Sequence, residues 1–225
     1  MSGAPLVVSL HLPKTAGTSF AEALRRAYGE SCRIEYVDQP MQRARWRRRW
    51  DALARAVPAR RGLESVSCVH GHFLPIKYRL AAGARPVRYV TWLRDPVERL
   101  ASHYHYWLRD YAGDDPAQPL RNRMLAEGWT FERFALGEEM RDLYHEYLWG
   151  FDPARFDFIG ITERYEQDLE RFVRTFGCLG AVVANARVNP DRCEDRYPIE
   201  AGLRARIEAH HARDVALYRW ALERR

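Results

Sequence analysis

The stretch Leu6-Val7-Val8-Ser9-Leu10-His11-Leu12-Pro13-Lys14-Thr15-Ala16-Gly17-Thr18-Ser19-Phe20 decides the fold of this chain. Its first half is an apolar run rich in β-branched residues, which is typical of a buried strand. A short loop of small residues follows, and a helical pattern of apolar residues begins at Phe20. We therefore predict a strand, a tight loop and a helix in direct succession.

The loop between that strand and helix has the chemistry of an anion site. Its amides and those of the first helical turn lack partners within the helix, and the helix dipole adds positive potential. Thr18 and Ser19 can cap the helix and also donate hydroxyls to an anion, while Lys14 adds a full positive charge. We interpret the loop as a phosphate cradle; the alternative is an ordinary turn that contains a lysine.

The loop differs from the common nucleotide-binding loops. In the G-x-x-x-x-G-K-[ST] motif, a lysine follows the second glycine, and the hydroxyl next to it reaches Mg²⁺. Here Lys14 precedes the single glycine, Gly17, and no lysine follows that glycine. The dinucleotide fingerprint G-x-G-x-x-G is absent as well.

Length and composition predict one globular domain. The chain has 225 residues, of which 47% are hydrophobic and 12% aromatic, and this is enough for a sizeable core. We find no apolar run long enough to span a bilayer and no signal-peptide pattern, so we expect a cytoplasmic protein. The four cysteines have no zinc-site spacing, which favours reduced structural thiols. The net charge of +6 points to an anionic ligand or partner.

Strand and helix patterns alternate along the chain, which predicts an α/β fold with a mostly parallel sheet of about five strands. The predicted strands are Pro5–Leu12, Arg33–Val37, Ser65–His70, Val87–Leu93 and Phe156–Ile161. The predicted helices are Ser19–Tyr28, Gln42–Ala56, Pro96–Tyr111, Pro119–Glu127, Phe131–Leu136, Met140–Gly150, Tyr165–Phe176 and Ala201–Arg225.

The segment Gln42–Arg49 reads Q-R-A-R-W-R-R-R and is strongly basic. Because Trp46, Trp50 and Leu53 fall at helical spacing, we favour an amphipathic helix with these three residues inward and its arginines in water. A nucleic-acid patch and a basic surface facing a polyanionic substrate are the alternatives.

A second informative stretch runs from Val87 to Tyr104, where a strand leads directly into Arg94-Asp95-Pro96 and a helix. Open α/β sheets bind ligands at such strand ends, and the planar fork of Arg94 suits phosphate. Ser102 follows about two helical turns later and can share a second phosphate with Arg94. The alternative is a structural salt bridge between Arg94 and Asp95, with Ser102 incidental.

A third stretch, Cys68-Val69-His70-Gly71-His72-Phe73, also ends a predicted strand. Histidine is the side chain best suited to accept a proton near neutral pH. Two histidines could instead ligate a metal, but no further ligands have a recognisable spacing. We therefore predict proton transfer and no metal here.

At these three stretches the chain resembles the sulfotransferases that use 3′-phosphoadenosine 5′-phosphosulfate (PAPS). It is most similar to their carbohydrate branch, which includes heparan sulfate 2-O-sulfotransferase. His11–Ser19 matches the family's 5′-phosphosulfate loop, and Leu93–Tyr104 matches its 3′-phosphate motif R-D-P-x-x-R-x-x-S-x-Y. His70-Gly71-His72 matches the H-G-H element of that branch, and Gly160–Glu163 resembles a family strand end. The resemblance covers about residues 5–176.

The resemblance implies a P-loop-like three-layer fold, formed by a single sulfotransferase domain over residues 1–225 with a core at 5–176 and a helical region at 177–225. It implies transfer of a sulfuryl group from PAPS to an acceptor hydroxyl, with PAP as the product and no metal. The implied acceptor is a carbohydrate, namely an oligosaccharide, a polysaccharide or a glycolipid, and a small-molecule natural product is the alternative. His72 would be the general base, and Lys14 would stabilise the leaving oxygen.

The resemblance also assigns the binding residues. The 5′-phosphate would be held by Lys14, Thr15, Ala16, Gly17, Thr18 and Ser19. The 3′-phosphate would be held by Arg94 and Ser102. The acceptor would be contacted by His70, Arg99 and Tyr104. The family usually closes over the nucleotide with a basic loop in the C-terminal region, where Arg187, Asn189 and Arg192 are candidates without a residue-by-residue match.

Two other classes of protein compete with this interpretation. A P-loop kinase or nucleotide hydrolase would keep the sheet and the loop, but G-K-[ST] is missing, as is a clear Mg²⁺-binding carboxylate after a strand. A nucleic-acid-binding protein would use Arg43–Arg49. We favour both less, and expect neither a nucleic-acid partner nor a membrane span.

Overall fold

The carboxyl ends of all five strands lie at one edge of the sheet, because every strand pair is parallel. The computed structural model describes residues 4–36, 38, 43–109, 115–178 and 197–224. The strand order is β2-β3-β1-β4-β5. The strands are β1 (Leu6–Leu10), β2 (Cys32–Tyr36), β3 (Cys68–His72), β4 (Val87–Leu93) and β5 (Phe156–Ile161). The predicted α/β class with a five-stranded sheet is confirmed.

The helices follow the predicted pattern with several differences in their bounds. They are α1 (Gly17–Tyr28), α2 (Arg45–Ala54), α3 (Ala56–Arg60), α4 (Ile76–Ala81), α5 (Pro96–Arg109), α6 (Pro119–Ala126), α7 (Phe131–Ala135), α8 (Leu143–Tyr147), α9 (Tyr165–Phe176), α10 (Ala201–His210) and α11 (Ala212–Glu223). The predicted helix over 201–225 is divided at His211, and α4 has no counterpart among the predicted helices.

Both faces of the sheet are covered, which gives the predicted three layers. On one face, Leu6, Val8 and Leu10 join a core cluster that includes residues of α4, α8 and α11. On the other face, Val7 packs in a cluster with Phe20 of α1 and residues of α9. A strand buried on both faces reads as a continuous apolar run, as β1 does.

The basic helix α2 is turned the opposite way from our prediction. Trp46 and Trp50 are 69% and 68% exposed, whereas Arg48 is 3% exposed. Arg48 can be buried because its guanidinium donates to both carboxylate oxygens of Asp38, at 2.8 and 2.7 Å. The small Ala52 lies on the same buried side. The expectation that Trp46, Trp50 and Leu53 point inward is therefore wrong.

Several smaller expectations can be compared with the structure. Among the described helices, none is both long and apolar enough to cross a bilayer. The three described cysteines, Cys32, Cys68 and Cys178, are free thiols. Arg187, Asn189, Arg192 and Cys193 lie outside the described residues.

Gly71 in β3 has no room for a side chain. A Cβ atom there would lie 1.6 Å from the carbonyl oxygen of Glu35 in the neighbouring strand β2. We expect Gly71→Ala to lower the free energy of unfolding by about 3 kcal/mol, because backbone atoms cannot move aside cheaply. Denaturant-induced unfolding measures this loss.

Gly128→Ala is the matched control for that substitution. Gly128 has a left-handed backbone with φ of 60°, and a Cβ atom there meets nothing within 4 Å. It should therefore cost only the conformational penalty of about 1 kcal/mol. Equal losses at the two positions would contradict the steric account of Gly71.

Candidate active site

The parallel sheet brings the three predicted motifs together at its carboxyl edge. Leu10 at the end of β1 pairs with Gly71 of β3 on one side and with Thr91 of β4 on the other. The loop after β1 is thus flanked by His72, which ends β3, and by Arg94, which follows β4. Ligands of open parallel sheets bind at this edge.

The loop between β1 and α1 has an unusual backbone. Lys14 and Ala16 are both left-handed, with φ of 66° and 61°, a conformation that costs a non-glycine residue about 1–2 kcal/mol. The Thr15 hydroxyl donates to the Leu12 carbonyl at 2.8 Å and holds the turn. Turns of this kind gather backbone N–H groups into concavities that bind anions, and retained strain is common at functional sites.

Helix α1 begins at Gly17, two residues before the predicted start. Ala16 is its N-cap residue and provides no side-chain hydrogen bond to the helix. Thr18, which is exposed, and Ser19, which is buried, therefore lie within the first turn, and the expectation that they cap the helix is wrong. Without a capping side chain, the first-turn amides suit an external anion.

Three histidines stack beside this loop. The ring of His11 lies 4.5 Å from that of His72 and 5.3 Å from that of His70, measured between centroids. Gly17 makes the stack possible, because a Cβ atom there would lie 1.8 Å from Nε2 of His11. The Tyr36 hydroxyl lies 3.1 Å from Nδ1 of His11 and adds an aromatic ring to the cluster.

His72 is oriented as a proton acceptor. Its Nδ1 lies 2.6 Å from the carbonyl oxygen of His11, and because a carbonyl can only accept, Nδ1 carries the proton. The lone pair is then on Nε2. Burial lowers the pKa of His72 below its usual 6.5, against the opposing effects of the His11 carbonyl and of Asp38. The ring is therefore neutral at pH 7, as a general base requires.

Of the three residues predicted to contact the acceptor, His70 and Arg99 are buried and Tyr104 is half-buried. His70 is 1% exposed, and its Nδ1 lies 2.9 Å from the hydroxyl of Ser9. Arg99 is fully buried. Tyr104 donates its hydroxyl to the carbonyl of Trp129 at 2.9 Å. His70 and Arg99 are therefore not exposed to an external acceptor in this structure.

Arg94 and Lys14 join the loop to the segment after β4. The guanidinium Nη1 of Arg94 lies 3.5 Å from the Lys14 carbonyl oxygen, and Nζ of Lys14 lies 3.9 Å from the ring centroid of Tyr106 on α5. The Tyr144 hydroxyl accepts from the Arg94 amide at 3.1 Å and donates to the Arg94 carbonyl at 2.8 Å. Two cationic side chains thus lie between the loop and α5.

Asp95 does not pair with Arg94 in the described structure. Its Oδ1 accepts from the amides of Val97 and Glu98 at 2.9 and 3.0 Å and caps α5, and it also lies 3.3 Å from Arg204 of α10. The alternative of an Arg94–Asp95 salt bridge is therefore wrong. Ser102 is half-buried on α5, and among the described contacts no hydrogen bond joins it to Arg94.

Sequence reasoning missed four residues that shape this site. They are Tyr36, Asp38, Tyr144 and Arg204. Tyr36 ends a strand that was predicted, so a search of every strand end would have found it. The other three have no local signal, since Asp38 bonds an arginine ten residues away and Tyr144 bonds Arg94 across 50 residues.

One group of described residues has the composition of a metal site, Asp142, His211 and Asp214. Nδ1 of His211 accepts from the Asp142 amide at 3.2 Å, and its Nε2 donates to the Ala135 carbonyl at 2.7 Å. Both ring nitrogens are thereby occupied and leave no lone pair for a metal. The group is a hydrogen-bond junction between α8 and α11.

Three solved structures are similar to this chain at a low level. No family model and no curated protein matches it. A sulfotransferase from Alicyclobacillus acidocaldarius is 16% identical with a TM-score of 0.44, covering 96% of this chain and 94% of that one. Mouse sulfotransferase SULT7A1 complexed with PAP is 11% identical with a TM-score of 0.42, covering 92% and 63%. The sulfotransferase domain from the curacin biosynthetic pathway is 10% identical with a TM-score of 0.38, covering 93% and 98%. At such values the activity must be inferred from the residues of this chain.

Because several histidines are buried, we predict that the folded protein loses stability at acidic pH. Burial lowers the pKa of His70 to about 3 and that of His211 to about 4. Below pH 6.5 these two histidines become protonated in the unfolded chain but stay neutral in the folded protein. Protonation therefore favours the unfolded state, and the free energy of unfolding falls as pH falls from 6.5 toward 3. Imidazole NMR resonances of His70 should accordingly stay unchanged between about pH 8 and about pH 5. A His70 titration centred near pH 6.5 would contradict this.

Proposed function

We propose that this protein is a PAPS-dependent sulfotransferase that transfers a sulfuryl group to an acceptor hydroxyl. The observation that carries the proposal is the His72 ring, held through Nδ1 by the His11 carbonyl with Nε2 left to accept a proton, beside the loop between β1 and α1. One side of the site suits an anionic donor, and the other offers a lone pair for the proton of a nucleophile.

The donor would lie along the loop between β1 and α1. The uncapped amides of the first turn and the hydroxyls of Thr18 and Ser19 would hold the 5′-phosphate, and Lys14 would approach the oxygen that bridges phosphorus and sulfur. Arg94 and Ser102 would hold the 3′-phosphate, which distinguishes PAPS from other adenine nucleotides. The contact of Arg94 with the Lys14 carbonyl supports this assignment, because it shows that the Arg94 side chain adjoins the loop proposed to hold the 5′-phosphate.

The transfer would be an in-line displacement. His72 would accept the hydroxyl proton at Nε2 as the acceptor oxygen forms its bond to sulfur. The bond between sulfur and the bridging oxygen would break, and Lys14 would stabilise the negative charge left on that oxygen of PAP. We expect this reaction to proceed without a metal ion.

A carbohydrate is the acceptor we propose. Tyr36 is 41% exposed, and its ring centroid lies 4.8 Å from that of His72, so it offers an aromatic face beside the base. The neighbouring Asp38, Arg48 and Lys77 line only a small cavity of about 30 Å³. The exposed aromatic ring beside the base is therefore the feature that supports a carbohydrate acceptor, because such a ring can pack against the face of a sugar.

The donor assignment is tested by calorimetric titration of the protein with PAP, with adenosine 5′-phosphate and with ATP plus Mg²⁺. We expect PAP to bind without metal and more tightly than adenosine 5′-phosphate. Arg94→Ala should weaken PAP by about tenfold or more and adenosine 5′-phosphate far less, since a charged hydrogen bond to the 3′-phosphate is lost.

Arg88→Ala is the matched control, because Arg88 lies near the opposite end of β4 and should leave both affinities unchanged. An equal loss for both ligands in the Arg94 variant would refute the 3′-phosphate site. Preference for ATP with Mg²⁺ would instead indicate a kinase-like enzyme.

The role of His72 is tested by turnover with PAPS and a panel of sugar acceptors. We expect His72→Ala to retain PAP binding and to lower kcat by about 10²-fold or more, because the proton acceptor is lost. The wild-type rate should stay level down to about pH 6.5 and fall at lower pH, since burial lowers the pKa of His72 below that value. His105→Ala, at an exposed position on α5, is the control. Wild-type turnover in the His72 variant would exclude it as the base.

A further inference from the structure

The positive charge of this chain is concentrated in one segment. Residues 43–61 contain eight arginines and one aspartate, a net charge of +7, whereas the whole chain carries +6. The remainder is therefore close to neutral. The segment forms α2 and α3, and Arg55 between them keeps a helical backbone, with φ of −84° and ψ of −6°.

The same segment exposes an apolar stripe, formed by Trp46, Trp50, Leu53 and Val57. These residues are 69%, 68%, 39% and 78% exposed, and they are four of the seven large hydrophobic residues exposed in the described structure. Their spacing of four, three and four residues places them within an arc of about 60° on a helix. The stripe is therefore one continuous surface.

Arginines border the apolar stripe and leave charge available to a partner. Arg45 and Arg49 lie 3.4 and 3.6 Å from Glu146. Arg47 and Arg60, both exposed, have no carboxylate partner among the described residues, and the guanidinium of Arg47 lies 5.8 Å from the Trp46 ring. A helix with tryptophan and aliphatic side chains on one side and arginines around them has the composition of an interfacial membrane helix.

We propose that α2 and α3 dock this protein on the surface of an anionic lipid bilayer. Trp46, Trp50, Leu53 and Val57 would enter the boundary between headgroups and acyl chains, and the bordering arginines would contact lipid phosphates. The inference concerns peripheral binding, and it does not depend on the proposed sulfuryl transfer.

Charge and side-chain chemistry favour a bilayer over the other occupants. A second copy would bring another segment of charge +7 against the first, which is repulsive. A nucleic acid or an acidic glycan could bind the arginines and stack on the tryptophans, but it would not bury the exposed aliphatic side chains of Leu53 and Val57. A bilayer interface accommodates all four apolar residues and the arginines together.

The test is co-sedimentation of the full chain with vesicles of phosphatidylcholine and phosphatidylglycerol in equal parts, without nucleotide. We expect binding that weakens with salt and is far weaker on pure phosphatidylcholine. Trp46→Ser with Trp50→Ser should lower the partition coefficient by about tenfold or more. Arg47→Gln with Arg60→Gln should lower it by about tenfold.

Matched controls lie on other surfaces of the molecule. Leu108→Ser and Arg174→Gln change exposed residues of α5 and α9 and should leave vesicle binding unchanged. Val57→Ser, at the most exposed position of the apolar stripe, serves as a second variant if the double tryptophan variant does not fold, and should weaken binding measurably.

Three results would overturn the proposal. The first is absence of binding to the anionic vesicles. The second is vesicle binding that depends on the arginines but is unaffected by both tryptophan substitutions and Val57→Ser, as for a purely electrostatic surface for polyanions. The third is a dimer, seen by analytical ultracentrifugation, that is disrupted by the tryptophan substitutions in a protein that binds no vesicles. Because no assay uses PAPS, failure here leaves the proposed activity untouched.

Discussion

The hydrogen bond from Nδ1 of His72 to the carbonyl of His11 is the contact on which the candidate site depends. It joins the end of β3 to the start of the loop that follows β1, and so fixes an imidazole relative to the backbone proposed to bind an anion. It also selects the tautomer, because a carbonyl partner keeps the proton on Nδ1 and leaves Nε2 free. Neighbouring parallel strands make this contact possible, since they end at the same edge.

That contact restricts the residues around it. The ring of His11 lies against the start of α1, which accepts only a glycine at position 17, and β3 approaches β2 so closely that only a glycine fits at position 71. The left-handed Lys14 and Ala16 store strain that a well-packed sheet must support. Burial keeps His70 neutral, so the positive charge near the proposed anion site comes from Lys14 and Arg94.

The fold could be predicted largely because the local sequence of each strand indicates a strand. The β4 and β5 bounds, Val87–Leu93 and Phe156–Ile161, agree with the prediction because each is an apolar run closed by a turn or cap. The orientation of α2 could not be predicted, because a period of 3.6 identifies an apolar face without saying whether it is buried. The Arg48–Asp38 ion pair decides the orientation, and it joins residues whose partnership has no sequence signature.

Arg48 also connects the two proposals. It belongs to α2, whose outward face carries the apolar stripe. Its guanidinium binds Asp38 and lies 5.3 Å from the ring centroid of Tyr147. The ring of Tyr147 in turn lies 6.0 Å from the ring of His72. The proposed bilayer surface and the proposed base are therefore the two sides of one packed layer. In a protein docked through α2, Arg48 and its partners Asp38 and Tyr147 would therefore lie between the bilayer and the proposed base.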